Sequence, residues 1–206
     1  MIKILLSGFE PFGGESINPS FEAIKNIYLD DSTIELHKIE LPVLFDISAQ
    51  KLLEKIRLVS PDIIIMVGQA GGRKSISIER VAINIDDSET PDNGGLKPLD
   101  RIISSFGLPA YFSTLPIKEI VANIEKAHIP VSVSNSAGTY VCNHIMYHVL
   151  HELISTDQPQ IKAGFIHVPY IKEQTIHKQH FFSLDLKIIE QAIKIAIETT
   201  INDIKK

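Results

Sequence analysis

Ser48-Ala49-Gln50-Lys51-Leu52-Leu53-Glu54-Lys55-Ile56-Arg57-Leu58-Val59-Ser60-Pro61-Asp62-Ile63-Ile64-Ile65-Met66-Val67 changes its hydrophobic period in the middle. Leu52, Leu53, Ile56 and Val59 fall at helical spacing, so residues 48–59 predict a helix. Pro61-Asp62 ends it, and the unbroken apolar run 63–67 is the pattern of a strand buried on both faces. Working outward, residues 2–6 read as a short buried strand. Asn18-Pro19-Ser20 reads as a helix start, with Asn as N-cap, Pro at the first helical position, and Phe21, Ile24 and Ile27 on one face. Residues 33–41 read as a strand. The order strand, helix, strand, helix, strand predicts a parallel sheet with helices on its faces. Downstream, Ile76, Ile78, Val81, Ile83 and Ile85 predict extended chain over 75–85, and Pro91-Asp92-Asn93-Gly94-Gly95 is a turn. Residues 117–127 predict a helix, 131–133 a strand, 142–154 a helix, 163–168 a strand and 184–204 a long terminal helix. The expectation is one three-layer α/β domain over residues 1–206.

Composition narrows the partners. Lys plus Arg number 20 and Asp plus Glu 25, a net charge of −5. That balance argues against nucleic acid or an anionic membrane, which demand a basic footprint. The longest apolar run is about a quarter of the roughly 20 residues of a membrane span. The apolar start is interrupted by Gly8 and Glu10-Pro11, which does not fit a signal segment. One cysteine excludes an intramolecular disulfide and any metal site needing two thiolates from the chain, and it suits a reducing cytosol.

In open α/β sheets, functional groups collect where strands end. Four such places carry unusual residues. Gly8-Phe9-Glu10-Pro11-Phe12-Gly13-Gly14 follows the first strand without the Gly-Lys-Ser/Thr of a phosphate loop. Its two phenylalanines suit an apolar ligand, or cap the core. Gly68-Gln69-Ala70-Gly71-Gly72-Arg73 also lacks that lysine, and its glycines admit close backbone approach to a ligand. Glu79 sits where the alternation slips, either as a salt-bridge partner of Arg73 or Arg80 or as a functional carboxylate. Ser136-Ala137-Gly138-Thr139-Tyr140-Val141-Cys142-Asn143-His144 puts Cys142 near a helix N-terminus, where dipole and free N–H groups favour a thiolate or an oxyanion. Cys142 is then a nucleophile or an inert buried cysteine. His167 closes an apolar strand, as a backbone-bonded core histidine or as a base for Cys142 with a carboxylate such as Glu79 behind it.

A rival cluster is His144, His148 and His151, one helix face by spacing and a conceivable zinc site. Ile145, Met146, Val149 and Leu153 form the core stripe on the other side, so the histidines are expected to project into solvent or an interface. No H-E-x-x-H and no G-x-S-x-G occurs.

Taken together, these blocks resemble pyroglutamyl peptidase I. The resemblance rests on 8–14 with Asn18-Pro19-Ser20, on 67–73 running into Glu79-Arg80-Val81-Ala82-Ile83-Asn84, and on Pro91-Asp92-Asn93. It continues through Leu115-Pro116-Ile117-Lys118, 136–144 and Gly164-Phe165-Ile166-His167-Val168-Pro169-Tyr170, in the family's order and as far as Gln174. It implies an α/β/α sandwich with a mostly parallel, mixed central sheet. It implies a cytosolic cysteine peptidase without cofactor or metal, often a homotetramer, that removes pyroglutamate from peptide N-termini. It implies a triad on Cys142, His167 and Glu79, and a substrate pocket formed by Phe9, Phe12, Gln69, Tyr140 and Val141. Tyr140 stands where relatives often have Phe, and Glu89-Thr90 where many have Arg-Ile. A neutral lactam suits an apolar, aromatic pocket with few hydrogen bonds. The alternatives are a non-catalytic lactam-binding relative and a zinc hydrolase built on His144, His148 and His151.

Overall fold

The structure, a computed structural model, describes residues 1–178 and 180–206. β1 (Ile2–Phe9) enters the core at once, with Ile4, Leu5 and Leu6 fully buried. α1 (Pro19–Lys25) starts as its sequence dictates: Asn18 Oδ1 accepts the Ser20 N–H at 3.1 Å, and Pro19 fills the first turn. β2 (Ile34–Leu41) pairs parallel with β1. α2 (Phe45–Val59) ends on Ser60, whose φ of 50° reverses the chain ahead of Pro61. β3 (Ile63–Gln69) then pairs parallel with β1 on its other edge.

Beyond β3 come β4 (Ile76–Glu79), β5 (Val81–Ile83), β6 (Ala110–Phe112), α3 (Ile117–Lys126), β7 (Val131–Ser134) and α4 (Val141–Ser155). β8 (Lys162–Val168), β9 (Tyr170–Ile171), α5 (Lys172–Thr175), β10 (Ser183–Leu184) and α6 (Leu186–Ile204) complete the chain. Six strands form the central sheet in the order β2-β1-β3-β8-β4-β7. β2, β1, β3 and β8 are parallel; β4 runs antiparallel to β8 and parallel to β7. The sheet is therefore mixed and mostly parallel, as expected.

Alternation sorts the strand residues between two cores. Ile4, Leu6, Ile63, Ile65, Val67, Ile76, Ile78, Ile166 and Val168 pack on the face covered by α1, α3 and α6. Leu5, Ile64, Met66, Ala163 and Phe165 pack on the face covered by α2 and α4.

Five boundaries differ from the sequence reading by more than a one-residue shift at an element's end. β1 and β3 run on to Phe9 and Gln69, so both residues end strands rather than lie in loops. α2 begins at Phe45 rather than residue 48, because Asp92 Oδ2 accepts the Phe45 N–H at 3.2 Å from a distant turn. The 75–85 stretch breaks at Arg80: β4 stays in the central sheet, and β5 leaves it to pair with β6. α6 starts at Leu186, after the short β9–β10 pair.

Candidate active site

Sheet parity brings three of the singled-out residues to the face under α4. Met66 and Phe165 pack on that face, so Gly68 and His167, two residues on, share it. Gly68 and His167 are cross-strand partners between β3 and β8. His167 also pairs with Ser77 across the β8–β4 seam, and Glu79 follows Ser77 on the same side of β4. α4 lays Cys142, in its first turn, over this row. A β-carbon on Gly68 would stand 2.8 Å from Cys142 Sγ, so the thiol lies directly above the strand pair.

His167 Nδ1 donates to Glu79 Oε1 at 2.7 Å, and Arg73 Nη1 donates to the same oxygen at 2.5 Å. Arg73 Nη2 reaches on to the Ser136 carbonyl (3.1 Å), tying the carboxylate to the turn before Cys142. The Arg73 salt bridge and the His167 hydrogen bond therefore meet on one atom of Glu79. Glu79 is 0% exposed. Burial opposes its charge, yet the hydrogen bond from His167, with the Arg73 charge, holds the carboxyl below its ordinary value. Burial pushes His167 down, against the pull of Glu79. The imidazole is thus neutral at neutral pH, with its proton on Nδ1 toward the carboxylate and a lone pair on Nε2. Burial, reinforced by the Glu79 charge, pushes the Cys142 thiol up to about 12. The resting pair is thiol and imidazole, not thiolate and imidazolium.

Beside the sulfur is a narrow pocket. Phe9, Phe12, Gln69, Tyr140, Val141 and Cys142 all line it, together with Asn18 and Val43. The phenylalanines come from the first strand end, Gln69 from the third, and Tyr140 and Val141 from the start of α4. Tyr140 edges against Phe45 and donates its hydroxyl to the Pro91 carbonyl at 3.0 Å. The turn at 91–95 is fastened in turn: Asn93 Nδ2 and the Val43 N–H both donate to Glu10 Oε1 (2.8 and 3.1 Å). Glu89 and Thr90 stay exposed beside it.

Asn18 and Val43 are the pocket residues the sequence reading missed. Asn18 carried a signal, but for its capping role; Val43, an ordinary apolar residue between strand and helix, carried none.

The histidine face is corrected. His144 is 1% exposed, and its Nδ1 bonds Asp86 at 2.9 Å. His151 Nδ1 bonds the Tyr111 hydroxyl at 2.8 Å, and His148 lies tilted against His144 with centroids 4.5 Å apart. The apolar stripe marks only one of the buried sides of α4, which the segment leading from β5 to β6 covers on its second side. The three rings go to different partners, and among the described residues no three His, Cys, Asp or Glu side chains converge to hold an ion. Among the described residues no helix is long and apolar enough to cross a membrane.

The sequence model of the family described as pyroglutamyl peptidase matches residues 2–203. The chain is 51% identical over 205 residues to pyrrolidone-carboxylate peptidase 2 of Caldanaerobacter subterraneus subsp. tengcongensis, covering 100% of this chain and 99% of that one. It is 48% identical to the pyrrolidone-carboxylate peptidase of Finegoldia magna, covering 98% and 94%. The crystal structure of Bacillus amyloliquefaciens pyroglutamyl peptidase I superposes with a TM-score of 0.91 at 47% identity, covering 97% of each chain. A mutant pyrrolidone carboxyl peptidase from Pyrococcus furiosus superposes with a TM-score of 0.94 at 42% identity, covering 98% and 99%.

Proposed function

The chain belongs to the pyroglutamyl peptidase family, a family of cysteine peptidases, and on that premise we propose that Cys142, His167 and Glu79 hydrolyse pyroglutamyl peptides. The observation that carries the assignment is the 2.7 Å bond joining His167 to a fully buried, ionised Glu79, on the sheet face beneath Cys142. The pocket supports the substrate class. Phe9, Phe12, Val43 and Val141 offer an apolar slot beside the sulfur for an uncharged ring. Among the described residues, no carboxylate lines it to receive the free α-ammonium of an ordinary peptide.

The chemistry follows from the protonation states. His167 Nε2 takes the thiol proton as Cys142 Sγ bonds to the pyroglutamyl carbonyl carbon, which spares the free thiolate that burial disfavours. Negative charge passes to the carbonyl oxygen, held by backbone N–H groups at the start of α4, that of Cys142 among them. The C–N bond then breaks, and imidazolium protonates the departing amine. Water, deprotonated by the same imidazole, attacks the thioester and releases free pyroglutamate, and the thiol regains its proton. Glu79 keeps Nδ1 protonated and steadies the imidazolium.

The test is turnover of a pyroglutamyl-arylamide. Activity that survives a chelator and is lost to one equivalent of iodoacetamide supports the cysteine reading, since Cys142 is the chain's only thiol. Cys142→Ser, folded, should fall by at least about a thousandfold. Parental activity in that variant sinks the assignment, and activity lost to chelator and restored by zinc replaces it with a metal hydrolase.

Three finer points belong to the same proposal. Residues 1–206 act as one domain, because strands from both ends of the chain share the central sheet. A cytoplasmic location suits a mechanism that needs a reduced thiol. A homotetramer suits the exposed apolar side chains of Leu99, Ile102, Phe106, Leu108 and Phe112, which a second copy of the chain would cover.

A further inference from the structure

We propose that Gln174 is a positioning residue: it fixes the Gln69 side-chain amide so that Nε2, the donor end, faces the pyroglutamyl ring. The inference rests on the functional reading above and concerns the same pocket.

An amide side chain has a donor end and an acceptor end, and only its partners decide which points where. Gln174 is buried, in the one-turn helix α5. Its Oε1 accepts the Ile171 N–H at 3.2 Å, reaching back over the helix start as in a capping box. Its Nε2 donates to the Ile17 carbonyl at 3.2 Å. Both partners are main-chain groups whose polarity cannot change. Turning the amide over would set N–H against N–H and oxygen against oxygen, so its orientation is fixed. The second proton of Nε2 points at Gln69, 2.9 Å away. Gln69 must meet it with oxygen, and its own Nε2 is left without a partner among the described residues.

That free end matters because the other polar side chains of the pocket are engaged. Asn18 donates to the Glu10 carbonyl and accepts from Ser20, and the Tyr140 hydroxyl donates to Pro91. Which end of the Gln69 amide the slot presents is therefore set by Gln174. A pyroglutamyl ring differs from a prolyl ring by its carbonyl, an acceptor. A donor held toward it selects for that oxygen, and the contact is remote from the scissile bond, so it acts on binding rather than on the chemical step.

The experiment measures kcat and KM for pyroglutamyl-arylamide and prolyl-arylamide, with thermal unfolding, in the parental protein, Gln174→Glu and Gln174→Met. A glutamate carboxylate at mildly alkaline pH only accepts. Gln69 then turns its Nε2 toward position 174 and shows oxygen to the ring. Gln174→Glu should raise KM for pyroglutamyl-arylamide about tenfold or more, with kcat within about twofold. Gln174→Met releases Gln69 without reversing it and should raise KM by a smaller factor, again at near-parental kcat. A folded Gln174→Glu protein with parental KM, or one that loses kcat instead, overturns the inference. Should the glutamate variant fail to fold, unchanged KM in Gln174→Met overturns it equally. A parental protein inactive on the pyroglutamyl substrate defeats the functional reading itself, whereas an active one with unaltered variants defeats only the role of Gln174.

Discussion

A methyl group on Gly68 would stand 2.8 Å from the Cys142 sulfur and 2.6 Å from the Phe165 ring. Neither neighbour can step aside easily, because Phe165 is fully buried and Cys142 is held in the first turn of α4. Gly68→Ala should therefore displace the thiol, with an expected loss of about a hundredfold in kcat/KM. Overpacking should cost about 1–3 kcal/mol of stability, read by denaturant unfolding. Parental kinetics in a folded Gly68→Ala protein would show that the sulfur does not need its seat. The sequence hinted at this glycine as a place of close approach, but assigned the approach to a ligand rather than to the chain's own nucleophile. It singled out Cys142 and His167, with a catalytic and a plain structural reading for each, because a thiol at a helix start and an imidazole closing an apolar strand are local patterns. It was ambiguous at Glu79, whose two bonds to Arg73 and His167 appear only once β4 and β8 are side by side.

Helix α4 shows how far an element can be read alone. Its limits were foreseen within a residue, yet its histidine face was placed outside, because periodicity reports apolar residues and is silent on polar ones buried by another segment. One consequence is measurable. Burial, then the neighbouring His144, depresses His148 to about 4, with Asp86 and Asp46 opposing and His151 adding to the depression. The unfolded chain protonates this imidazole near 6.5 and the folded chain only near 4. Stability linked to it is intact above 6.5 and is lost as pH falls from 6.5 to about 4. His148→Gln should reduce the fall in unfolding free energy across that window by roughly 1–2 kcal/mol, allowing for partial exposure. Parallel pH–stability curves for the two proteins would refute the assignment. Helix α2 makes the same point about boundaries: its first N–H is capped by Asp92, and no window of local sequence contains both residues.

For the whole molecule, the first half of the sheet was legible because its strands and helices alternate with clear periods. The reversal of β4 and β7, and the departure of β5 to pair with β6, are pairing choices that periodicity does not encode. The stretch from 86 to 112 also carries the most exposed apolar side chains, with Phe106 at 96% and Leu99 at 81%. If copies of the chain cover it, Leu99→Glu combined with Phe106→Glu should lower the mass found by sedimentation velocity to that of a monomer; a parental protein already monomeric would refute self-association. Apart from an isolated bridge between Asp86 and Arg101, the chain between β5 and β6 has no helix or strand of its own. Its moorings are few: Arg101 to Asp46, the Asp87 N–H to the Thr139 carbonyl at 3.0 Å and the Asn93 N–H to the Val43 carbonyl at 2.9 Å, the Thr139 hydroxyl to the Asp87 carbonyl at 2.6 Å, and Tyr140 to Pro91. Such a segment can open as a separate cooperative unit while the sheet stays closed. Because two of its moorings are the residues just ahead of Cys142, a transient opening there slackens the pocket wall without unfolding the protein.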